Sequence, residues 1–335
     1  AGTDAMNRDL RHGGALDAMS AAYPDTQKPW IDLSTGINPW PYPEASISEQ
    51  ALTRLPTRTF YTECRDAMAA AIGAQPESLL LSSGSEVLIR LLPDVLSPAR
   101  VAILQPIYAD HIEAWSRTGA DIIQTDDPLA YAASVDAIVL SHPNNPDGRL
   151  FDYDALSATL TKLRARGSWL IIDEAYADLA PELSFAPRGG EDNLIILRSF
   201  GKFYGLPGLR LGGVLAPERV RRALADRLGV WPVSGAALEI GARAYRDVAW
   251  QQQMRARLVE GAARLDEILK AAKMKRVGGT HLYRFVEVES AHEVFDTLAK
   301  AGIYVRRFDW SPTHLRIGLP PTADAETRLK EALSL

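Results

Sequence analysis

Four short apolar runs punctuate the middle of the chain: Val101 to Leu104, Ala137 to Leu140, Trp169 to Ile172 and Leu194 to Leu197. Each is followed at once by polar or Gly/Pro-containing residues. Continuous apolar runs of this length predict strands buried on both faces, as in a parallel sheet covered by helices. A fifth run, Leu79 to Leu81, leads through Ser82-Ser83-Gly84-Ser85-Glu86 into a helical stretch. That is the pattern of a strand, a tight turn and a helix N-terminus. Between the strands the period changes: across Tyr153 to Arg166, Leu156, Leu160 and Leu163 share a helical face, and Gly167 stands where a helix stop belongs. Alternating strands and helices predict an α/β fold with a mostly parallel sheet.

Beyond about residue 215 the alternation gives way to another pattern. Glu218 to Leu228 and Val248 to Lys273 read as helices and Leu282 to Val288 as a strand. Ala291 to Lys300 reads as a helix ending at Gly302, a strand follows near Ile303 to Arg306, and His314 to Ile317 precedes a final helix. This half is expected to form a smaller α+β domain. The N-terminal forty or so residues, with Pro39, Pro41 and Pro43 close together, offer no obvious core element and read as an arm lying across another surface, with disorder as the alternative. The expected organisation is an arm over 1–44 packing near the active site, a large domain over 45–230 and a small domain over 231–335.

Composition narrows the function classes. The 335 residues carry 37 Lys+Arg against 42 Asp+Glu, a formal net charge of -5, and are 47% hydrophobic, enough for about two domains and an ample core. The weakly acidic balance argues against nucleic acid or an anionic membrane as a main partner. Small anionic ligands stay open, because a local group of arginines attracts them whatever the net charge. The single cysteine, Cys64, excludes an internal disulfide framework and a multi-thiolate metal site; a packing role is expected for it, and no metal site. No window approaches the roughly 18 consecutive apolar residues of a membrane span. Ala1 to Arg11 lack the apolar run of a secretory signal, so a cytoplasmic location is expected.

In an open α/β sheet the ligand crevice lies beyond the carboxyl ends of the strands. The residues at those ends are Gln105-Pro106-Ile107-Tyr108, Ser141-His142-Pro143-Asn144-Asn145-Pro146-Asp147-Gly148, Asp173-Glu174-Ala175-Tyr176 and Arg198-Ser199-Phe200-Gly201-Lys202, continuing to Gly208-Leu209-Arg210. Singly, each has an ordinary structural explanation. An Asp at a strand end caps or turns, a Gly-Ser turn before a helix is a common N-cap, and Asn145-Pro146 with Gly148 makes a turn. Their conjunction, in this order and at these spacings, points to one site.

The pattern Asn145-Pro146-x-Gly148, Asp173-x-x-Tyr176 and Ser199-x-x-Lys202 with Arg210 eight residues beyond the lysine resembles the fold-type-I enzymes dependent on pyridoxal 5'-phosphate, in the aminotransferase class I/II superfamily. Within it, His12-Gly13-Gly14, Ser34-x-Gly36-Ile37-Asn38-Pro39 and the run Lys202 to Gly212 are similar to the threonine-phosphate decarboxylase family of cobalamin biosynthesis, whose nearest relatives are the histidinol-phosphate aminotransferases. The resemblance implies a cofactor held as follows. Lys202 would form the imine with its aldehyde, Asp173 would keep the pyridine nitrogen protonated so that the ring draws electrons, and Tyr176 and Asn145 would bond the phenolic oxygen. The phosphate would rest on Gly84 and Ser85 at a helix N-terminus, helped by Ser199 and Arg210. Tyr108 would stack on the ring.

For the substrate, the resemblance implies Arg316 as carboxylate ligand and Arg306 as a second anion ligand, with His12, Gly13, Asn38 and Asn145 completing the pocket. It further implies a homodimer and a small phosphorylated amino acid as substrate. The reaction itself stays open between decarboxylation and amino transfer, because the outcome depends on which bond at the α-carbon stands perpendicular to the cofactor's π system. A third reading keeps the fold but makes the chain a non-catalytic partner in a cobalamin-assembly complex. The chain also departs from the family's pattern. It has Arg54-Leu55-Pro56 where many relatives have an Arg-Tyr-Pro run whose tyrosine reaches the partner's cofactor phosphate, and Tyr61 is the nearby phenol. Asp147 replaces the more usual Thr in the Asn-Pro turn, and Ser85-Glu86 differs from the commonest phosphate cradles.

Overall fold

The computed structural model describes residues 12–334, which divide into two compact units. The larger comprises Pro41–Asn145 and Arg149–Gln252. Its centre is a seven-stranded sheet in the order Leu79–Ser82, Gly212–Leu215, Leu194–Ser199, Trp169–Asp173, Ala137–Ser141, Arg100–Leu104 and Asp121–Thr125. From Leu194–Ser199 to Asp121–Thr125 every pairing is parallel, while Gly212–Leu215 runs antiparallel to both its neighbours. The sheet is therefore mixed but mostly parallel, as the apolar runs predict. Those runs are the core: Val101 to Leu104, Ala137 to Leu140 and Leu194 to Leu197 are all fully buried. Each buried Leu or Ile of this kind stabilises the fold by about 1.5–3 kcal/mol relative to leaving it exposed.

Local chemistry fixes the helices around the sheet. Arg58–Ile72 starts where the Thr57 hydroxyl accepts the Phe60 N–H and stops at Gly73, whose φ of 76° ends the helix. Tyr153–Ala165 starts where the Asp152 carboxylate accepts the Ala155 N–H, and Gly167 follows it at a φ of 68°.

The smaller unit comprises the described residues up to Trp40, Pro146–Gly148 and Gln253 onward. It holds a four-stranded antiparallel sheet in the order Arg306–Phe308, Ser311–Gly318, Tyr283–Glu287 and Lys275–Thr280, together with a parallel pair of Ile31–Asp32 and Ile303–Tyr304. The α+β expectation for this half holds, with two differences. The N-terminal segment does contribute to a core: it forms the helix Leu16–Ala22, which buries Met19, and the strand Ile31–Asp32. The strand expected near Ile303 to Arg306 is two strands, Ile303–Tyr304 pairing with Ile31–Asp32 and Arg306–Phe308 pairing with Ser311–Gly318. The Asn-Pro turn residues of this unit lie backbone to backbone on a glycine pair: the Asp147 carbonyl accepts the Gly279 N–H at 2.8 Å, and a Cβ on Gly148 would come 2.0 Å from the Gly279 oxygen.

Candidate active site

In the larger unit one cavity is lined by Gly84, Ser85, Tyr108, Asn145, Asp173, Tyr176, Ser199, Lys202 and Arg210, so every expected cofactor residue meets the same space. The sheet explains the convergence. Asp173 ends its strand with Ser141 in register on one side and Leu197 on the other, so three neighbouring strands deliver their carboxyl ends to one place.

Asp173 is held firmly. Its Oδ1 accepts the Ala175 N–H at 3.0 Å and its Oδ2 lies 2.8 Å from His111 Nε2. Both side chains are buried. A carboxylate offers only acceptors, so in this pair the proton sits on Nε2. His111, from the helix Ala109–Ser116, is the functional contact that reading the sequence missed. The available signal was a histidine three residues after Tyr108, at the start of the helix that follows a crevice-facing strand end.

One end of the cavity is built from backbone and cation. Gly84 has a φ of 82°, and a Cβ there would come 2.6 Å from Arg210 Nη2, so the guanidinium packs directly on the glycine. Gly212 is required in the same way, since its Cβ would lie 2.8 Å from Gly84 C and Ser85 N. The Ser85 and Ser199 hydroxyls are 2.8 Å apart. The helix Glu86–Leu96 begins here with no side chain capping its first turn. Amide groups, two hydroxyls and a guanidinium thus converge, which is the donor set a dianionic group requires. Glu86 also lines the cavity. Its Oε1 accepts the Arg90 Nε–H at 3.0 Å, while the Tyr108 hydroxyl lies 3.1 Å from Glu86 Oε2 and 3.0 Å from Asp110 Oδ2. Burial and the neighbouring Asp110 push the Glu86 carboxyl up from its ordinary range, and burial with both carboxylates pushes the Tyr108 phenol up.

A wider cleft of about 370 Å³ in the same unit is lined by residues including Pro56, Tyr61, Leu228, Val230, Trp231 and Val233, with Arg58 as its one charged residue and no carboxylate. Tyr61 uses its hydroxyl to accept the Leu81 N–H at 2.8 Å, and Leu55 is exposed.

The expected substrate residues His12, Gly13, Asn38, Arg306 and Arg316 belong to the smaller unit. Arg306 and Arg316 are register partners on adjacent antiparallel strands. Like charges directly opposite each other destabilise a sheet unless something compensates. Arg316 is buried, donates from Nη2 to the Ser34 carbonyl at 2.6 Å and lies over the Tyr283 ring. Arg306 donates to the Arg307 carbonyl and lies over Phe308. The Asn38 Oδ1 accepts the Trp40 N–H at 2.9 Å, and the His12 carbonyl accepts from the Tyr304 hydroxyl at 3.4 Å. Among the described residues no group of three or more His, Cys, Asp or Glu side chains comes together as a metal site.

Comparison with known proteins agrees with this fold. Residues 28–333 match the family described as aminotransferase class I and II, and the chain belongs to that family. Within it, the chain is 38% identical over 326 residues to a threonine-phosphate decarboxylase of Pseudomonas aeruginosa, covering 97% of each chain. It is 39% identical over 332 residues to another threonine-phosphate decarboxylase from Sinorhizobium sp, covering 98% of this chain and 99% of that one. Among solved structures, the histidinol-phosphate aminotransferase of Sinorhizobium meliloti, in complex with pyridoxal-5'-phosphate, superposes with a TM-score of 0.82 at 19% identity, over 98% of this chain and 95% of that one.

Proposed function

We propose that this protein is a pyridoxal 5'-phosphate-dependent decarboxylase that converts L-threonine O-3-phosphate to carbon dioxide and (R)-1-amino-2-propanol O-2-phosphate, a precursor of the cobalamin side chain. The observation that carries the reading is the near-complete, 38–39% likeness to two threonine-phosphate decarboxylases in a chain whose cavity gathers Lys202, Asp173 and a phosphate donor set.

The residues present suit that cofactor. An uncapped helix start, a glycine too close to Arg210 to carry a side chain, and two paired hydroxyls make an anion cradle, and a buried carboxylate backed by His111 stands in the same cavity. When bound, the cofactor supplies an aldehyde and an electron-withdrawing ring. Lys202 is the amine assigned to the aldehyde, and Asp173, oriented by His111 and the Ala175 amide, would keep the pyridine nitrogen protonated. Gly84, Ser85, Ser199 and Arg210 would hold the phosphate, with Tyr176, Asn145 and Tyr108 assigned to the ring.

The substrate brings two anionic groups, and the cross-strand arginines Arg306 and Arg316 are assigned to them, with His12, Gly13 and Asn38 completing the pocket. By holding the carboxylate and the phosphate, these ligands would fix the orientation of the α-carbon's bonds, while the bound cofactor would supply the electron sink. Lys202 then stands as the group that returns a proton to the α-carbon.

The protein is proposed to work as a homodimer. Supporting this are the exposed apolar side chains Leu52, Leu55, Val230 and Trp231, two of which line the 370 Å³ cleft; a second copy of the chain covers them in this reading. A cytoplasmic location is part of the same proposal, and no helix of the described residues is long and apolar enough to cross a membrane.

The test is incubation of the cofactor-loaded protein with L-threonine O-3-phosphate and no oxo acid. Carbon dioxide release over many turnovers, lost in Lys202→Ala, supports the decarboxylase. Turnover only with histidinol phosphate and 2-oxoglutarate identifies an aminotransferase instead, and unchanged turnover in Lys202→Ala rules out the assigned chemistry.

A further inference from the structure

We propose that Ser34 is a positioning residue that sets the distance between the His12-Gly13-Gly14 segment and the Arg316 guanidinium, and so the spacing of two anionic groups on one substrate. The inference rests on the assignment of His12 and Arg316 to the substrate.

Ser34 is fully buried, so its polar atoms must find partners inside the protein. They find them on both sides. Its Oγ accepts the Gly14 N–H at 2.8 Å and donates to Asp32 Oδ1 at 2.5 Å, and its own N–H donates to that same oxygen at 2.9 Å. Its carbonyl accepts Arg316 Nη2 at 2.6 Å. Gly13 lies flat on it: a Cβ there would come 2.4 Å from the Ser34 oxygen and 3.0 Å from its Oγ. One residue therefore touches the glycine pair beside His12 and the guanidinium of Arg316.

The surrounding frame is rigid. The Leu33 N–H donates to the Tyr304 carbonyl at 2.7 Å, and the Gly318 N–H donates to the Leu33 carbonyl at 2.8 Å. Residue 33 is thus tied to the strand Ser311–Gly318 that carries Arg316. A neutral carbonyl orients a guanidinium without neutralising its charge. The carboxylate of Asp32 meanwhile receives both Ser34 donors, which fixes the rotamer that points Oγ at Gly14.

Ser34→Ala removes the hydroxyl and leaves the carbonyl to Arg316. Its steady-state carbon dioxide release is to be measured on the cofactor-loaded protein beside Arg316→Ala, Asp32→Asn and Asp32→Ala. Losing one hydrogen bond to an anchored group is expected to raise KM for L-threonine O-3-phosphate about tenfold while kcat changes less than about threefold. Inhibition by the product amine, which keeps the phosphate but has no carboxylate, is expected to change little, because a ligand with one anion does not sense the spacing. Asp32→Asn keeps an acceptor oxygen and is expected to have a lower KM than Asp32→Ala. An unchanged KM in Ser34→Ala overturns the proposal, as does a KM that rises by the same factor as the product's inhibition constant, which would mean local damage to one anion site. Should Ser34→Ala not fold, the two Asp32 variants decide: equal KM values overturn the proposal. Arg316→Ala with a normal KM removes the substrate assignment and the inference with it, whereas a raised KM there beside a normal one in Ser34→Ala removes the inference alone.

Discussion

His111 Nε2 stands 2.8 Å from Asp173 Oδ2, with both side chains buried, so a carboxylate that lines the cavity from a strand end is aimed by a residue of the helix Ala109–Ser116. A hydrogen bond to a charged group contributes about 1.5–3 kcal/mol, a factor of ten or more. His111→Phe is accordingly expected to lower kcat about tenfold, and Asp173→Asn, which loses the charge itself, by roughly 10²-fold or more. Steady-state decarboxylation checks both; equal losses would mean that His111 does more than orient Asp173.

Gly84 gives the second prediction. Its φ of 82° disfavours any side chain, and a Cβ would overlap the Arg210 Nη2 at 2.6 Å. A Cβ there pushes the arginine end away from the Gly84-Ser85 turn to which the cofactor phosphate is assigned. Gly84→Ala is expected to weaken cofactor binding by about tenfold or more, since one charge-assisted contact is displaced, and to cost the apoprotein about 1–2 kcal/mol in backbone strain. Cofactor titration by absorbance and chemical denaturation of the apoprotein read the two effects separately.

Elements with one dominant signal were legible in the sequence. The runs at Val101, Ala137, Trp169 and Leu194 are strands because nothing but a doubly covered sheet hides so many adjacent apolar side chains. Asp173 was legible as a candidate because it follows such a run directly, and Lys202 because its spacing from Ser199 resembles a family's pattern. The strand Gly212–Leu215 was not, since its opening glycines read as loop, whereas Gly212 lies against Arg198, Gly84 and Ser85 and Gly213 against Leu79 and Leu80. Nor was Ile31–Asp32, a two-residue strand whose pairing with Ile303–Tyr304 joins opposite ends of the chain. His111 escaped for a related reason: its partner is 62 positions away, and no local pattern records that distance.

A third prediction concerns Arg198, which sits behind the cavity and is itself buried. It donates from Nη1 to Glu174 Oε1 at 3.0 Å and from Nη2 to Asp178 Oδ1 at 2.5 Å, while Glu174 also accepts from the Ser184 hydroxyl and the Phe185 N–H. Arg198→Met leaves two buried carboxylates without their cation. Breaking a buried ion pair from one side costs about 3–5 kcal/mol, and a loss of that size is expected in urea denaturation. A change below about 1 kcal/mol, the range of an exposed pair, would show that solvent reaches the network.

The last prediction follows from Cys64, fully buried in the helix Arg58–Ile72, where burial pushes its thiol up to about 12 from the ordinary 9.0. The folded state therefore holds the thiol proton over a pH range in which the unfolded chain releases it. A raised pKa of this kind contributes its full stability below the unfolded value and loses it as pH rises toward the folded one. Between about pH 9 and 12 the protein is expected to lose stability at up to about 1.4 kcal/mol per pH unit from this group. Cys64→Ala is expected to flatten that part of the denaturation-against-pH curve while costing a little packing at neutral pH. The same burial predicts that a thiol reagent at pH 8 leaves the native protein unmodified and labels one thiol per chain after unfolding; prompt labelling of the native protein would show that the helix opens readily around Cys64.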